Sequence, residues 1–239
     1  MAHITGALSG RHKPTIGKGT KKIMEMYRSK YTVNESPVYV SDYMSGKMAG
    51  IPSISTSVLC NPICAARRAN GDSICAHCFA AATRARYSKA NEHAEGNAAI
   101  LTSRILDKSL LPVFGNVRFV RIESFGDVAN VTQAINYVHI AQVNPGVVFG
   151  WWSKNIGIIA RAFDQIGGKP ENIILIESSE KVNVEKEPSS PYVDKVFTVY
   201  DKRFIKENGV EINCGARSCI ACQRCYTKGT EAKVHEILK

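Results

Sequence analysis

The sequence lacks several features that would place it in a common class. None of its 239 residues belongs to an apolar run approaching the roughly 20 residues of a membrane-spanning helix. Residues 1–22 also lack the apolar middle of a signal peptide. No Gly-x-Gly-x-x-Gly pattern follows a predicted strand, so the dinucleotide-binding fingerprint is missing. We therefore expect a cytoplasmic protein with no membrane partner.

Acidic residues are fewer than basic ones. The chain has 31 Lys and Arg against 21 Asp and Glu, a formal net charge of +10. Such a charge suits an anionic partner such as nucleic acid. The basic residues are spread along surface-like stretches without a familiar nucleic-acid motif, so a solvated basic surface explains the charge equally well. Nucleic acid remains one candidate partner, beside a small-molecule substrate or a redox partner.

Cysteine is unevenly distributed, because all eight thiols lie in two short segments. The first thiol group has the spacing Cys-x3-Cys-x10-Cys-x2-Cys, and the second has Cys-x4-Cys-x2-Cys-x2-Cys. The first consists of Cys60, Cys64, Cys75 and Cys78, and the second of Cys214, Cys219, Cys222 and Cys225. In a reducing compartment, clustered thiols are more often metal ligands or redox groups than disulfides. We therefore predict all eight as metal ligands.

The two spacings favour different metals to different degrees. The closely spaced end of the second group is typical of an iron–sulfur cluster, which takes one thiolate at each corner. The first group can equally be two zinc-binding pairs. The predicted cofactors are iron–sulfur clusters, either [4Fe-4S] or a larger assembly shared by both groups, with zinc as the alternative. His77 is a ligand, a donor to a cluster sulfur, or a surface residue.

Strands and helices alternate along the chain. Strands are predicted at residues 38–40, 117–123, 147–152, 173–177 and 196–200. Helices are predicted at residues 131–143 and 158–166, and in the alanine-rich run 80–106, which could break near Gly96. Near-continuous apolar strands indicate a parallel sheet covered on both faces. The predicted fold is α/β, a partial (β/α) barrel-like parallel sheet, and an open doubly wound sheet is the alternative.

The sequence predicts three parts along the chain. Residues 1–35 form an N-terminal arm with a short helix at residues 21–30. Residues 36–206 form the barrel-like domain, with the first thiol group in the loop after its first strand. Residues 207–239 form a cysteine-rich C-terminal segment.

Polar residues follow the predicted strands, where parallel α/β folds place their chemistry. The candidate catalytic residues are Glu123, Asp127, Lys154 and Glu177, and the candidate cofactor-binding residues are Ser124 and Gly126. Polar residues at strand ends also cap helices, which is the structural alternative for each. We expect these residues and both thiol groups to meet at one rim of the sheet.

The order of several motifs resembles the gene product 88 family of phage and mobile-element proteins. These motifs are the Cys78-Phe79 end of the thiol loop, FVRIESFGDV, NPGVVFGWWSKN, NIILIESSEKVN and the cysteine-rich tail. The resemblance covers roughly residues 38–226. It implies a mobile-element origin, location in the cytoplasm of a host cell, and a metallocluster.

More distantly, the chain is similar in plan to radical S-adenosylmethionine enzymes. Those enzymes are partial barrels with a Cys-x3-Cys-x2-Cys loop after the first strand, a Gly-Gly-Glu-like segment after the second, and often a cysteine-rich tail. Here the SFGD segment of residues 124–127 follows the second strand, while ten residues separate Cys64 from Cys75, so the strict triple is absent. The similarity implies S-adenosylmethionine as a candidate cofactor.

Three functions remain open from the sequence. The first is an iron–sulfur protein with redox or radical-type chemistry on a small molecule, which would make it an oxidoreductase or a radical-type enzyme. The second is a zinc-stabilised nucleic-acid-binding protein. The third is an electron-transfer or redox-sensing protein with no substrate of its own.

Overall fold

The computed structural model describes residues 32–33, 35–41 and 44–238. Most of the predicted N-terminal arm of residues 1–35, including the predicted helix of residues 21–30, lies outside these ranges.

A six-stranded, all-parallel sheet forms the centre of the molecule. In chain order the strands are β1 (Thr32–Val33), β2 (Ser53–Ile54), β3 (Phe114–Gly115), β4 (Phe119–Ile122), β5 (Val148–Ser153), β6 (Ile173–Ser178), β7 (Lys195–Tyr200) and β8 (Lys233–Ile237). The sheet order is β2-β4-β5-β6-β7-β8, while β1 and β3 pair antiparallel apart from it. The α/β prediction is confirmed. The spatial order follows the chain order, as in a barrel, without the reversal that defines a doubly wound sheet.

The helices connect these strands and lie beside them. They are α1 (Pro62–Ala69), α2 (Phe79–Arg86), α3 (Ser88–Ser103), α4 (Val131–Gln142), α5 (Ile156–Gln165), α6 (Lys202–Asn208) and α7 (Cys219–Cys222). Short 3-10 helices occur at Gly46–Met48, Ile74–His77, Lys108–Leu110 and Arg224–Tyr226. Within the described ranges no helix is both long and apolar enough to cross a membrane.

Helices α4 and α5 confirm two predictions, and the alanine-rich run differs in detail. It divides at Tyr87, which has the non-helical angles φ −118° and ψ 81°, and not at Gly96. Gly96 lies inside α3, where a Cβ would meet nothing within 4 Å. A glycine in an exposed helix position weakens the helix without ending it.

The first strand of the sheet was predicted wrongly. Residues 38–40 belong to no strand of the structure, and the chain only forms an isolated antiparallel bridge there, between Ser41 and Ser53. The first parallel strand is β2, whose Ser53 and Ile54 pair with β4 inside the segment predicted as a loop. Two residues, one of them serine, are too few to show strand periodicity. The first thiol group nevertheless follows the first strand of the sheet, as expected.

The sheet has two differently covered faces. Side chains of alternate strand residues pack against α4 and α5 on one face, which forms the larger core. Residues of that face include Val120, Ile122, Phe149, Trp151, Ile173 and Leu175. The opposite face carries Phe119, Trp152, Ile174 and Ile176, and it is covered by Tyr226 and neighbouring residues of the second thiol group. The cysteine-rich segment is therefore the second covering layer, and it also supplies the last strand, β8.

Candidate functional site

A cavity of about 560 Å³ lies against the second face of the sheet, at the carboxyl ends of the strands. Seven of the eight cysteines line it. They are Cys64, Cys75 and Cys78, here called the cavity trio, and all four members of the second thiol group, Cys214, Cys219, Cys222 and Cys225. The structure thus brings the two thiol groups to one cavity.

The first thiol group is positioned by a tightly capped helix. The side chain of Asn61 accepts hydrogen bonds from the backbone N–H groups of Ile63 (2.9 Å) and Cys64 (3.3 Å), and Pro62 occupies the first helical position of α1. Asn61 Nδ2 also donates to the carbonyl of Asp127 at 2.8 Å. These bonds fix the start of α1, and therefore Cys64, against the loop that follows β4.

Cys60 is separated from the trio. It is exposed, it does not line the cavity, and its thiol donates to the Ser57 carbonyl at 3.5 Å. Burial raises the pKa of Cys60, and Glu95 adds to the rise. His77 also faces away, because it lines a different surface pocket together with Asp72.

The trio lies close to two carboxylates. Burial raises the pKa of Cys64 to about 12, and Asp127, Glu123 and the other two trio thiols all add to the rise. Cys75 is held by Ser73, whose hydroxyl accepts from the Cys75 N–H at 3.2 Å. A cation or metal cluster would be needed to keep these buried thiols ionised together.

The second thiol group is docked on the sheet by Tyr226. The Tyr226 ring lies 4.9 Å from the ring centroid of Phe119 and 5.8 Å from that of Trp152. It occupies the space above Gly150, where a Cβ would lie 2.7 Å from atoms of both Tyr226 and Trp152. The missing side chain in the middle of β5 therefore makes room for the tail.

Lys47 and β8 hold the beginning of the second group. Lys47 Nζ donates to the Cys214 carbonyl at 3.1 Å, lies 3.8 Å from its sulfur, and pairs with Glu236 at 2.7 Å. The Cys214 N–H donates to the carbonyl of His235 in β8 at 2.9 Å.

Arg121 is a site residue that sequence reasoning missed. Its guanidinium stacks on Trp152, with the central carbon 3.2 Å from the ring centroid, and it lies beside Cys219 and Cys225. Its Nε is inaccessible to solvent and has no hydrogen-bond partner within the described chain. Burial lowers the pKa of Arg121, while Tyr226 and the two thiols oppose the decrease. The signal was present: an arginine between two apolar residues in the buried strand FVRI.

Glu123 reaches the cavity wall in a strained conformation. Its φ of 56° turns the chain at the end of β4. The buried carboxylate accepts hydrogen bonds from Thr56 N (3.0 Å), Thr56 Oγ1 (2.7 Å), Gln133 Nε2 (2.8 Å) and the Tyr137 hydroxyl (2.6 Å). Burial outweighs these bonds and raises its pKa to about 7. Glu123 therefore joins β4, the β2 loop and α4 beside the cavity.

Asp127 is equally well anchored. It accepts from Ser153 Oγ at 2.5 Å, Val128 N at 2.8 Å and Lys154 N at 3.1 Å, and Arg67 Nη1 lies 3.6 Å away. Burial raises its pKa, and the bond from Ser153 and the charges of Lys154 and Arg67 act against the increase.

The two residues predicted to bind a cofactor also line the cavity. Ser124 Oγ lies 2.7 Å from Ser53 Oγ, so its hydroxyl already has a protein partner. Gly126 has no room for a side chain, because a Cβ would lie 2.1 Å from Glu123 Oε2 and 2.5 Å from the Thr56 carbonyl.

Lys154 and Glu177 differ in position. Lys154 lines the cavity, and its ammonium group has no hydrogen-bond or ion-pair partner in the part of the chain that the structure describes. Glu177 is buried away from the cavity. Its carboxylate accepts from Ser189 N and Oγ, both at 2.8 Å, and pairs with Lys186. Strand alternation explains this, because Glu177 follows Leu175 on the helix-covered face.

All eight cysteines are free thiols. Among residues 32–33, 35–41 and 44–238, no three Cys, His, Asp or Glu side chains converge closely enough to hold a single metal ion. The thiols are instead distributed around the cavity wall.

A family model described as gene product 88 matches residues 18–235, which include both thiol groups and the cavity. The chain belongs to the gene product 88 family. The resemblance seen in the motif order is thereby confirmed for most of the chain. No curated protein and no solved structure matches it. The comparisons give the likeness to radical S-adenosylmethionine enzymes no support.

Proposed function

We propose that this member of the gene product 88 family binds iron–sulfur clusters at the cavity and performs redox or radical-type chemistry on a small molecule there. The observation that carries the proposal is the lining of one cavity by seven of the eight cysteines. A volume of about 560 Å³ is also within the range of small-molecule sites. A cavity of this size favours a protein with a substrate over an electron carrier without one.

The donor set fits iron–sulfur clusters. Soft thiolates favour iron–sulfur clusters, zinc or copper. A single zinc ion needs four ligands about 2.3 Å from one point, whereas a cluster takes one thiolate for each iron. Thiols distributed around a cavity wall suit the second arrangement better. The Nε of Arg121 has no hydrogen-bond partner in the described part of the chain and lies beside Cys219 and Cys225, which also suits a site that carries negative charge when loaded.

The division of the thiols supports two sites of different kinds. The second group offers four ligands, and the trio offers three because Cys60 lies outside the cavity. A four-iron cluster on the trio would keep one iron free of a protein thiolate, open to a substrate or to S-adenosylmethionine. Such clusters supply one-electron chemistry when bound.

The protein residues around the trio would orient the small molecule. Lys154, whose ammonium group has no partner among the described residues, would bind an anionic substituent. Arg67 is already committed to Glu180 (2.8 Å) and Asn155 (2.6 Å), so it fixes the wall of the site. The aromatic rings of Phe79 and Phe125, 6.1 Å apart, line the same cavity and provide apolar contact.

The test is iron and acid-labile sulfide per chain in anaerobically purified cysteine variants. Cys60→Ser should keep the iron content of the wild type. Replacement of the trio by serine should remove about half, and replacement of the second group the other half, since each site holds its own cluster. Equal loss from Cys60→Ser and from Cys64→Ser would contradict the proposed ligand set.

The same preparation tests the alternative of a zinc-stabilised nucleic-acid-binding protein. Stoichiometric zinc without iron would favour it. Affinity for duplex and single-stranded DNA that falls steeply with salt would then support the nucleic-acid partner.

A further inference from the structure

The two thiol sites differ in the balance of charged residues around them. This difference concerns residues of the protein and does not depend on which small molecule enters the cavity. It affects the reduction potential of a cluster bound at each site.

Cations surround the second thiol group. Arg121 stacks on Trp152, and Cys219 and Cys225 pack against the apolar cluster to which Trp152 belongs. Burial raises the pKa of Cys225 to about 12, and Arg121 acts against that increase.

Two lysines add to this positive charge. Lys47 Nζ lies 3.8 Å from the Cys214 sulfur. Buried Lys195 donates to Thr230 Oγ1 at 2.7 Å, and its charge interacts with Cys225. Two carboxylates near this group are already paired, Glu236 with Lys47 and Glu231 with Arg224, both at 2.7 Å.

Carboxylates and cations offset each other around the trio. The start of α1 is bonded to the Asp127 carbonyl through Asn61, which brings Cys64 next to Asp127. Asp127 and Glu123 line the same cavity as the trio. Cations offset these carboxylates: Arg67 Nη1 lies 3.6 Å from Asp127, and Lys154 lines the same cavity.

We propose that the second thiol group holds the cluster of higher reduction potential and the trio the cluster of lower potential, with Arg121 as the positioning residue that sets the difference. The inference rests on the proposed function. Reduction adds one negative charge to a cluster, so nearby cations stabilise the reduced form and nearby carboxylates destabilise it. The effect is strong where water is excluded, as at the buried Nε of Arg121.

The test is an anaerobic reductive titration with dithionite as the electron donor, followed by electron paramagnetic resonance. The trio-to-serine variant assigns the signal of the second site. Two transitions are expected, with the second site reduced first. Arg121→Met should shift the potential of the second site to a more negative value and leave that of the trio almost unchanged.

Two further variants separate charge from packing. Arg121→Lys keeps the cation and should restore most of the wild-type potential. Arg118→Met removes an exposed arginine that lies 4.8 Å from the Phe119 ring in the same sheet, outside the cavity, and should change neither potential. Iron content of each variant shows that both clusters remain.

Reduction of the trio before the second site, or an Arg121→Met protein with unchanged potentials and full iron content, would overturn the inference and leave the iron–sulfur proposal standing. A wild-type protein without iron, or with zinc in the second group, would overturn both.

Discussion

Glu123 shows how one residue links the strain, burial and acid–base properties of the site. It is only 3% exposed, adopts φ 56°, and binds donors from two other segments. Its pKa is raised to about 7 by burial from an ordinary value of 4.5. In the unfolded chain the carboxyl group therefore loses its proton at lower pH than in the folded protein.

The pH dependence of stability follows from this difference. Between pH 4.5 and 7 the folded protein binds more protons at Glu123 than the unfolded chain, so its contribution to stability is full below about pH 4.5 and declines toward pH 7. Relative to Glu123→Gln, the wild type should lose roughly 3 kcal/mol of unfolding free energy across this range. Denaturant unfolding at a series of pH values measures it.

The matched control is Glu92→Gln, which removes an exposed carboxylate from α3. Other titrating groups, including the thiols, are common to the proteins and cancel in the difference. A wild-type to Glu123→Gln difference that stays constant from pH 4.5 to 7 would show that burial does not control this carboxyl group.

Also at the scale of residues, some members of the site could be predicted from the sequence and others could not. Asp127 and Lys154 were found because polar residues directly after apolar strands meet at one edge of a parallel sheet. Arg121 was missed because its role depends on which face of β4 it occupies. Cys60 was grouped with its neighbours by spacing, and only the backbone path after Ser57 places it outside the cavity.

At the scale of elements, Gly150 in β5 decides whether the cysteine-rich segment can dock. A Cβ there would lie 2.7 Å from the rings of Trp152 and Tyr226. Gly150→Ala should displace Tyr226, cost about 1–3 kcal/mol of stability, and loosen the second thiol group. Hydrogen exchange of residues 207–238 and the iron content together measure this effect.

The control is Gly157→Ala, the same substitution at another position. Gly157 lies in α5, and a Cβ there would meet nothing within 4 Å, so alanine should leave the docking unchanged and favour the helix slightly. If Gly150→Ala kept wild-type exchange rates in the second thiol group, Tyr226 would not be its anchor.

The strands differ in how clearly the sequence predicts them. Strands β4 to β7 were predicted because each is a run of apolar, β-favouring residues. Strand β8 was missed because KVHEI alternates polar with apolar residues and lies next to β7 at the end of the sheet order. A strand with one partner needs fewer apolar residues, so the pattern is weak.

At the scale of the whole molecule, the strand order determines which face of the sheet the helices cover and which face the cysteine-rich segment covers. Because the strands follow one another across the sheet, α4 and α5 pack on one face and the other face is left for the tail. The alternation of strands and helices predicted this fold class. It could not predict that the second thiol group covers the opposite face, because that contact depends on Tyr226 fitting above Gly150.

The most direct test of the central claim is the iron, acid-labile sulfide and zinc content of the wild-type protein purified without oxygen. Two [4Fe-4S] clusters would give about eight iron atoms and about eight sulfides per chain, with a brown colour and little zinc. A colourless protein with stoichiometric zinc and no labile sulfide would contradict the account.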